Sequence, residues 1–235
     1  MQSVSMTYRA LLAAGASKEM RAIIAGVVYD QTKIISAVSR AALMDKAATI
    51  GNCAAKELNL VLRNPGDIPR MAEIRMQFRL NDGTTQSEWI PKGTFFIDTR
   101  DLDPFGVLTI DAFDPMLKCD QSFTTSGEQG TWPRTDITVV NQICSRIGVT
   151  LDARTAEILT AGYSIQYPGY GEGAYTMREI LGFIGSMYAG NWIITDENKL
   201  RLLVLGDMPD DTTNLLITEY GEYIVMGGYR IRVSR

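Results

Sequence analysis

Residues able to do chemistry are sparse in this chain of 235, and the types present exclude more than they allow. It has no histidine, so a serine triad and a cysteine–histidine pair cannot form, and the commonest metal ligand is missing. The three cysteines, Cys53, Cys119 and Cys144, match no zinc spacing, and an odd number argues against a disulfide framework. They read as buried free thiols. Asp101-Leu102-Asp103-Pro104-Phe105-Gly106 resembles a calcium loop but places Phe105 fifth and Ala112 twelfth, where a bidentate Glu is required; it reads as a plain turn. Asp98 and Asp114 flank the same two strands and come nearest to a carboxylate pair, yet Arg100 is the expected neighbour and a solvated sheet edge the expected setting. "PGYGEGAY" at 168–175 precedes a helix start, where backbone N–H groups bind anions, but lacks the Lys-Ser/Thr of a phosphate loop and the dinucleotide spacing. No catalytic, cofactor or metal residue is assigned. What this region does carry is tyrosine: Tyr163, Tyr167, Tyr170 and Tyr175. Such rings suit an interaction surface, or they pack over the helix that follows; the sequence supports both readings.

Positioning these residues falls to two kinds of element. From Lys18 the pattern is strand-like: "EMRAIIAGVVYD" and "TKIISAVSRAAL" read as two strands parted at Asp30-Gln31, after a short helix in "TYRALLAA" that closes at Gly15. Leu58, Leu60 and Leu62 alternate with polar residues, as do Ile74, Met76, Phe78 and Leu80. Asn81-Asp82-Gly83 supplies a tight hairpin turn, with the return strand running straight into "SEWIPKGTFFIDTR". There Phe95 and Ile97 face one side and Phe96 the other, so the strand is expected to be covered on both faces. Leu108, Ile110 and Ala112 point inward on the next strand. After Lys118 the period changes. Val139, Val140, Ile143 and Ile147 lie at helical spacing before Gly148. Thr176 and Glu179 form a capping box ahead of Met177, Ile180, Leu181 and Ile184, in a helix ending at Gly190-Asn191. Gly182 and Gly185 inside that helix imply close approach to a neighbouring backbone. "NWIITDENKLRLLVL" is a hairpin turning at Asp196–Lys199, and the last thirty residues return to strand.

Composition sets the remaining limits. At 46% hydrophobic and 21% charged the chain has the make-up of a globular protein. A net charge of −4 and mixed charges along the chain give no footprint for sequence-specific nucleic acid binding. No apolar run reaches the roughly 18–20 residues of a membrane helix, and the N-terminus lacks a secretory signal, so no membrane anchor is expected.

"GNCAAKELNLVLR", "IPRMAEIRMQFRL", "SEWIPKGTFFIDTR", "GVLTIDAFDPMLKCDQSF" and "YTMREILGFIGSMYAGNWIITDENKLRLL" follow one another in an order that resembles bacteriophage and prophage tail hub proteins. The resemblance spans roughly residues 18–205 and implies an α+β, predominantly antiparallel β fold. A β-barrel-like hub module would occupy 1–117, an inserted small α/β domain 118–205, and the start of a second, incomplete β module 206–235. It further implies a homotrimer once the hub is complete, contacts to tail tube or distal tail ring proteins and to a spike or fibre module, and a place in the virion tail after assembly in the host cytoplasm. The expected role is structural rather than enzymatic, with no cofactor. The alternatives are a carbohydrate- or peptide-binding module using the tyrosines and, third, a cell-wall hydrolase.

Overall fold

In a computed structural model, residues 4–41, 49–123, 131–166, 175–205, 225–226 and 229–230 are described. The chain divides into two units, Met1–Val204 and Leu205–Arg235.

Helix α1 (Met6–Ala13) starts at Ser5, whose hydroxyl accepts the Tyr8 N–H, and gives way at Gly15 with φ +71°. Seven strands follow: β1 (Ser17–Ile24), β2 (Val27–Tyr29), β3 (Ile34–Ala41), β4 (Lys56–Arg63), β5 (Glu73–Asn81), β6 (Ile90–Leu102) and β7 (Val107–Phe113). They form one antiparallel sheet in the order β2-β1-β5-β6-β7-β4-β3. Alternation does what the sequence implies. Leu58, Leu60 and Leu62, Ile74 and Met76, Phe95 and Ile97, and Leu108, Ile110 and Ala112 share one buried cluster with Ala22, Ile24, Tyr29 and Ile34. A sheet face buried this fully needs a cover. The cluster contains sheet residues plus Ile68 and Ala72 from the β4–β5 connection, so the sheet curls over itself. Tyr29 on edge strand β2 donates its hydroxyl to Pro65 O, just beyond β4, at 3.1 Å.

The barrel expectation needs correcting in one respect: no ladder among the described residues joins β2 to β3, so the curled sheet stays open there. Its two edges are nonetheless chain neighbours, linked by the four-residue turn at 30–33, in which Lys33 and Ile34 N–H groups bond Asp30 O. The stretch expected as a single strand, 19–30, is a hairpin. Ala25 and Gly26, at φ +49° and +83°, make a two-residue turn between β1 and β2. The expected turn at Asn81-Asp82-Gly83 is present, with the Asp82 carboxylate taking the N–H groups of Thr84 and Thr85. An antiparallel Asn81–Gln86 bridge closes it before β6 begins at Ile90. Ser87 closes this loop by accepting Leu80 N–H on its hydroxyl and donating its own N–H to Leu80 O.

Past β7, a 3-10 helix (Pro115–Asp120) leads into an α/β body. This contains β8 (Arg134–Thr135), α2 (Asp136–Ile147), β9 (Thr150–Leu151), α3 (Ala153–Ile158), β10 (Ser164–Ile165), α4 (Met177–Met187), β11 (Gly190–Ile194) and β12 (Lys199–Val204). β11 pairs antiparallel with β12, β12 parallel with β9, and β10 with β8. Val139, Val140, Ile143 and Ile147 of α2 meet Met177, Ile180, Leu181 and Ile184 of α4 over Trp192, Leu200 and Leu202. The capping box at Thr176 and Glu179 is present, and Gly148 ends α2 at φ +77°. α4 stops at Met187, a little short of the expected end. Its two glycines are where the sequence needs them: a Cβ at Gly182 would lie 3.0 Å from Gly51 O, and one at Gly185 2.9 Å from Trp192 Nε1. Residues 51–54 also belong to this body, running parallel to β11 through a Cys53–Trp192 bridge.

In the second unit, β13 (Val225–Met226) pairs antiparallel with β14 (Tyr229–Arg230). The rest of the expected return strands lies outside the described residues.

Candidate functional site

The tyrosines separate into two pairs. Tyr175, just ahead of the α4 cap, stands edge-on to Phe183 at 5.3 Å between centroids, and both rings are exposed. Tyr163 stacks edge-on against Tyr188 at 5.4 Å, and the Tyr188 hydroxyl donates to the Asp136 carboxylate. That ties the Tyr163 pair to the start of α2. Tyr167 and Tyr170 lie outside the described residues. Tyr163 and Tyr175 are both exposed, and each also rests on an aromatic ring of α4 or its C-cap, so both readings of the tyrosines stand.

The cysteines are all free and buried, and burial pushes each thiol up to about 12, leaving no nucleophile at neutral pH. Asp103 caps its turn by accepting Phe105 and Val107 N–H groups, and Gly106 turns at φ +81°. Asp98 and Asp114 occupy different settings. Asp98 sits on an exposed stretch of β6, while Asp114 is buried and accepts Lys56 N–H at 3.0 Å and Met116 N–H at 2.9 Å. Arg100, expected beside them, donates to Ile68 O instead. In "SEWIPKGTFFIDTR", Trp89 lies between Arg21 and Arg79, with their guanidinium carbons 4.1 and 4.5 Å from its ring centroids. Phe96 is half-buried under the Lys118 ammonium at 3.6 Å.

The densest chemistry lies where the sheet meets the α/β body, and the sequence reading passed it by. Asp196, at the tip of the β11–β12 hairpin, is gripped by Lys56 of β4 and by Lys92 of β6 at 3.1 Å. Burial opposes its ionisation, yet the two ammonium groups hold its carboxyl below the ordinary value. Arg178 of α4 reaches Asp120 at 2.5 Å, Met116 O at 2.9 Å and Cys53 O, tying helix, 3-10 turn and the 51–54 segment together. Beside this lies a cavity of about 550 Å³ lined by Lys56, Asp114, Asp152, Arg154, Lys199 and Arg201 among others. Lys56 and Lys92 are separated from Asp196 by 140 and 104 positions in the chain, so no local spacing could have signalled that grip.

No family model matches the sequence, and no curated protein matches it significantly. Among solved structures, the 43 kDa tail protein of prophage MuSo2 from Shewanella oneidensis superposes with a TM-score of 0.52 at 15% identity, over 85% of this chain and 61% of that one. This chain has the fold of a prophage tail protein. It spans about three fifths of that protein's length, and its own arrangement is α+β and mainly antiparallel.

Two carboxyls at this junction give the fold opposing pH responses. The Arg154 guanidinium pulls Asp152 down to about 2, so its contribution, about 1–2 kcal/mol, is present above the unfolded value of 3.8 and lost as pH falls toward 2. Desolvation raises Asp114 to about 6 despite its two amide hydrogen bonds. Its folded form binds the proton more tightly than the unfolded chain does, so stability from this group is full below 3.8 and lost as pH rises through 6. The melting temperature of Asp114→Asn relative to wild type should therefore rise from pH 4 to 6. A difference that stays constant over that range would show that Asp114 does not titrate there.

Proposed function

We propose that this chain is a structural component of a phage tail tip, a hub segment that builds by placing copies of itself side by side. The observation that carries this reading is the fold shared with a prophage tail protein. The sheet edges support it. β2 exposes Val27 and Val28, and β3 exposes Ile35 and Val38, each about half accessible, along strands whose outer backbone groups have no ladder partner among the described residues. Unprotected apolar edges of this kind are where strands of another copy add. In this reading 1–117 is the sheet module, 118–205 an insertion and 206–235 the start of a second β module. The complete hub is a trimer between tail tube and spike or fibre, in the virion tail, and its role is not enzymatic. A second reading, a carbohydrate- or peptide-binding surface, draws on the exposed Tyr175–Phe183 pair; glycan-array binding lost in Tyr175→Ala would favour it.

The test is the mass of the full-length protein by light scattering. Three copies are expected, falling to one in Val28→Lys/Val38→Lys with an unchanged melting temperature. A wild-type protein that stays monomeric with every module present would overturn the proposal.

A further inference from the structure

The ionisable groups lining the 550 Å³ cavity can be paired off one by one. Asp152 receives both Arg154 Nε and Nη2, at 2.9 and 2.7 Å. Glu197 accepts Lys199 at 2.8 Å, Asp196 is shared by Lys56 and Lys92, and Asp114 accepts its two backbone amides. Every acid is thus committed. Arg201 of β12 is the cation left over. Among the described residues no carboxylate lies within ion-pair distance of it, and its Nε–H is enclosed without an acceptor. Its charge is further disfavoured by burial and then by the neighbouring Arg154, with Asp152 compensating less than Arg154 repels. A planar guanidinium in such a setting matches the geometry and charge of a carboxylate. Beyond the charges, Ala41, Ala54, Ile193 and Leu203 add apolar surface to the lining, and the volume lies in the roughly 300–1,000 Å³ range of small-molecule sites.

We propose that this cavity binds a small carboxylate with a short apolar body, its carboxylate on Arg201 and its body against Ile193 and Leu203, which share the Arg201 face of the β11–β12 hairpin. A carboxylate on the cavity side of the guanidinium supplies the negative charge that the described residues do not. The same chemistry reaches the site as a free acid or as an acidic side chain on a docking polypeptide, and the free acid suits the apolar lining better. The proposal does not depend on the tail reading.

The probes are acetate, butyrate and hexanoate, titrated into the whole chain at ionic strength held constant with sodium chloride, while the Arg201 Nε–H resonance is followed by NMR. Saturable shifts are expected, with affinity rising about fourfold per added methylene. Arg201→Gln should bind at least tenfold more weakly while melting as wild type does in chloride alone, and Arg201→Lys should fall between them. A capped aspartyl peptide that binds more weakly than hexanoate identifies the free acid as ligand; tighter binding identifies a docked acidic side chain. Non-saturable shifts equal to those of chloride, or full binding by both variants, would overturn the site.

Discussion

Gly51→Ala is expected to destabilise the molecule by about 3 kcal/mol or more and lower its melting temperature by roughly 6–12 °C. Gly51 sits at φ +81°, a conformation that costs an L side chain about 1–2 kcal/mol. The larger part of the effect is steric. A Cβ there would lie 2.6 Å from Gly182 O, a backbone atom in the middle of α4, and against the Ser186 hydroxyl that bonds that same carbonyl. The Ser186 hydroxyl can rotate away, but the Gly182 carbonyl cannot retreat without breaking the helix or lifting the 51–54 segment. Lifting the segment breaks the bonds from Gly51 N–H to Gly190 O, from Trp192 N–H to Asn52 O and from Ala54 N–H to Trp192 O. These bonds seat the lead-in to β4 on the α/β body, so the variant should also show new protease cleavage near residue 51. A melt within 2 °C of wild type would mean that the segment does not rest on α4.

Trp192→Ala is the second large effect, at about 3–5 kcal/mol. The indole is completely buried among α2, α4 and β12, and its Nε1–H donates to Leu181 O at 2.6 Å. Truncation removes the largest side chain of that core and leaves a cavity which Gly185, packed against the ring, cannot fill. Trp192→Phe separates the contributions. It keeps most of the apolar volume and loses the hydrogen bond, for an expected cost of about 1–3 kcal/mol. Urea titrations of the three proteins check the order wild type, Phe, Ala; equal midpoints for Phe and Ala would place the whole effect on the Nε1–H.

Comparison of these sites with the sequence shows which physics is legible locally. The Leu58–Leu62 and Ile74–Leu80 alternations announced their strands and faces because strand burial has a period of two. The Thr176 capping box and Gly148 announced helix ends because both act within one turn. Gly182 and Gly185 gave away a close approach without naming Gly51 or Trp192 as the neighbours. The β1–β2 hairpin stayed hidden because Ala25 takes a positive φ usually reserved for Gly or Asn. The separation of β2 and β3 to opposite edges was equally hidden, since chain neighbours usually pair. Of the candidate site, Tyr163 and Tyr175 were found by residue type, but their division into two pairs depends on Phe183 and Tyr188. The Lys56–Asp196–Lys92 grip and Arg201 were invisible, because a charge in a sequence carries no mark of which distant charge it will meet.

Electron cryomicroscopy of tail particles carrying the full-length protein tests the proposed tail-tip role most directly. Three copies forming a ring at the distal end of the tube, with the β2 and β3 edges at the contacts between copies, are expected. Complete tails without this protein at the tip, or a single copy there with both edges facing solvent, would contradict it.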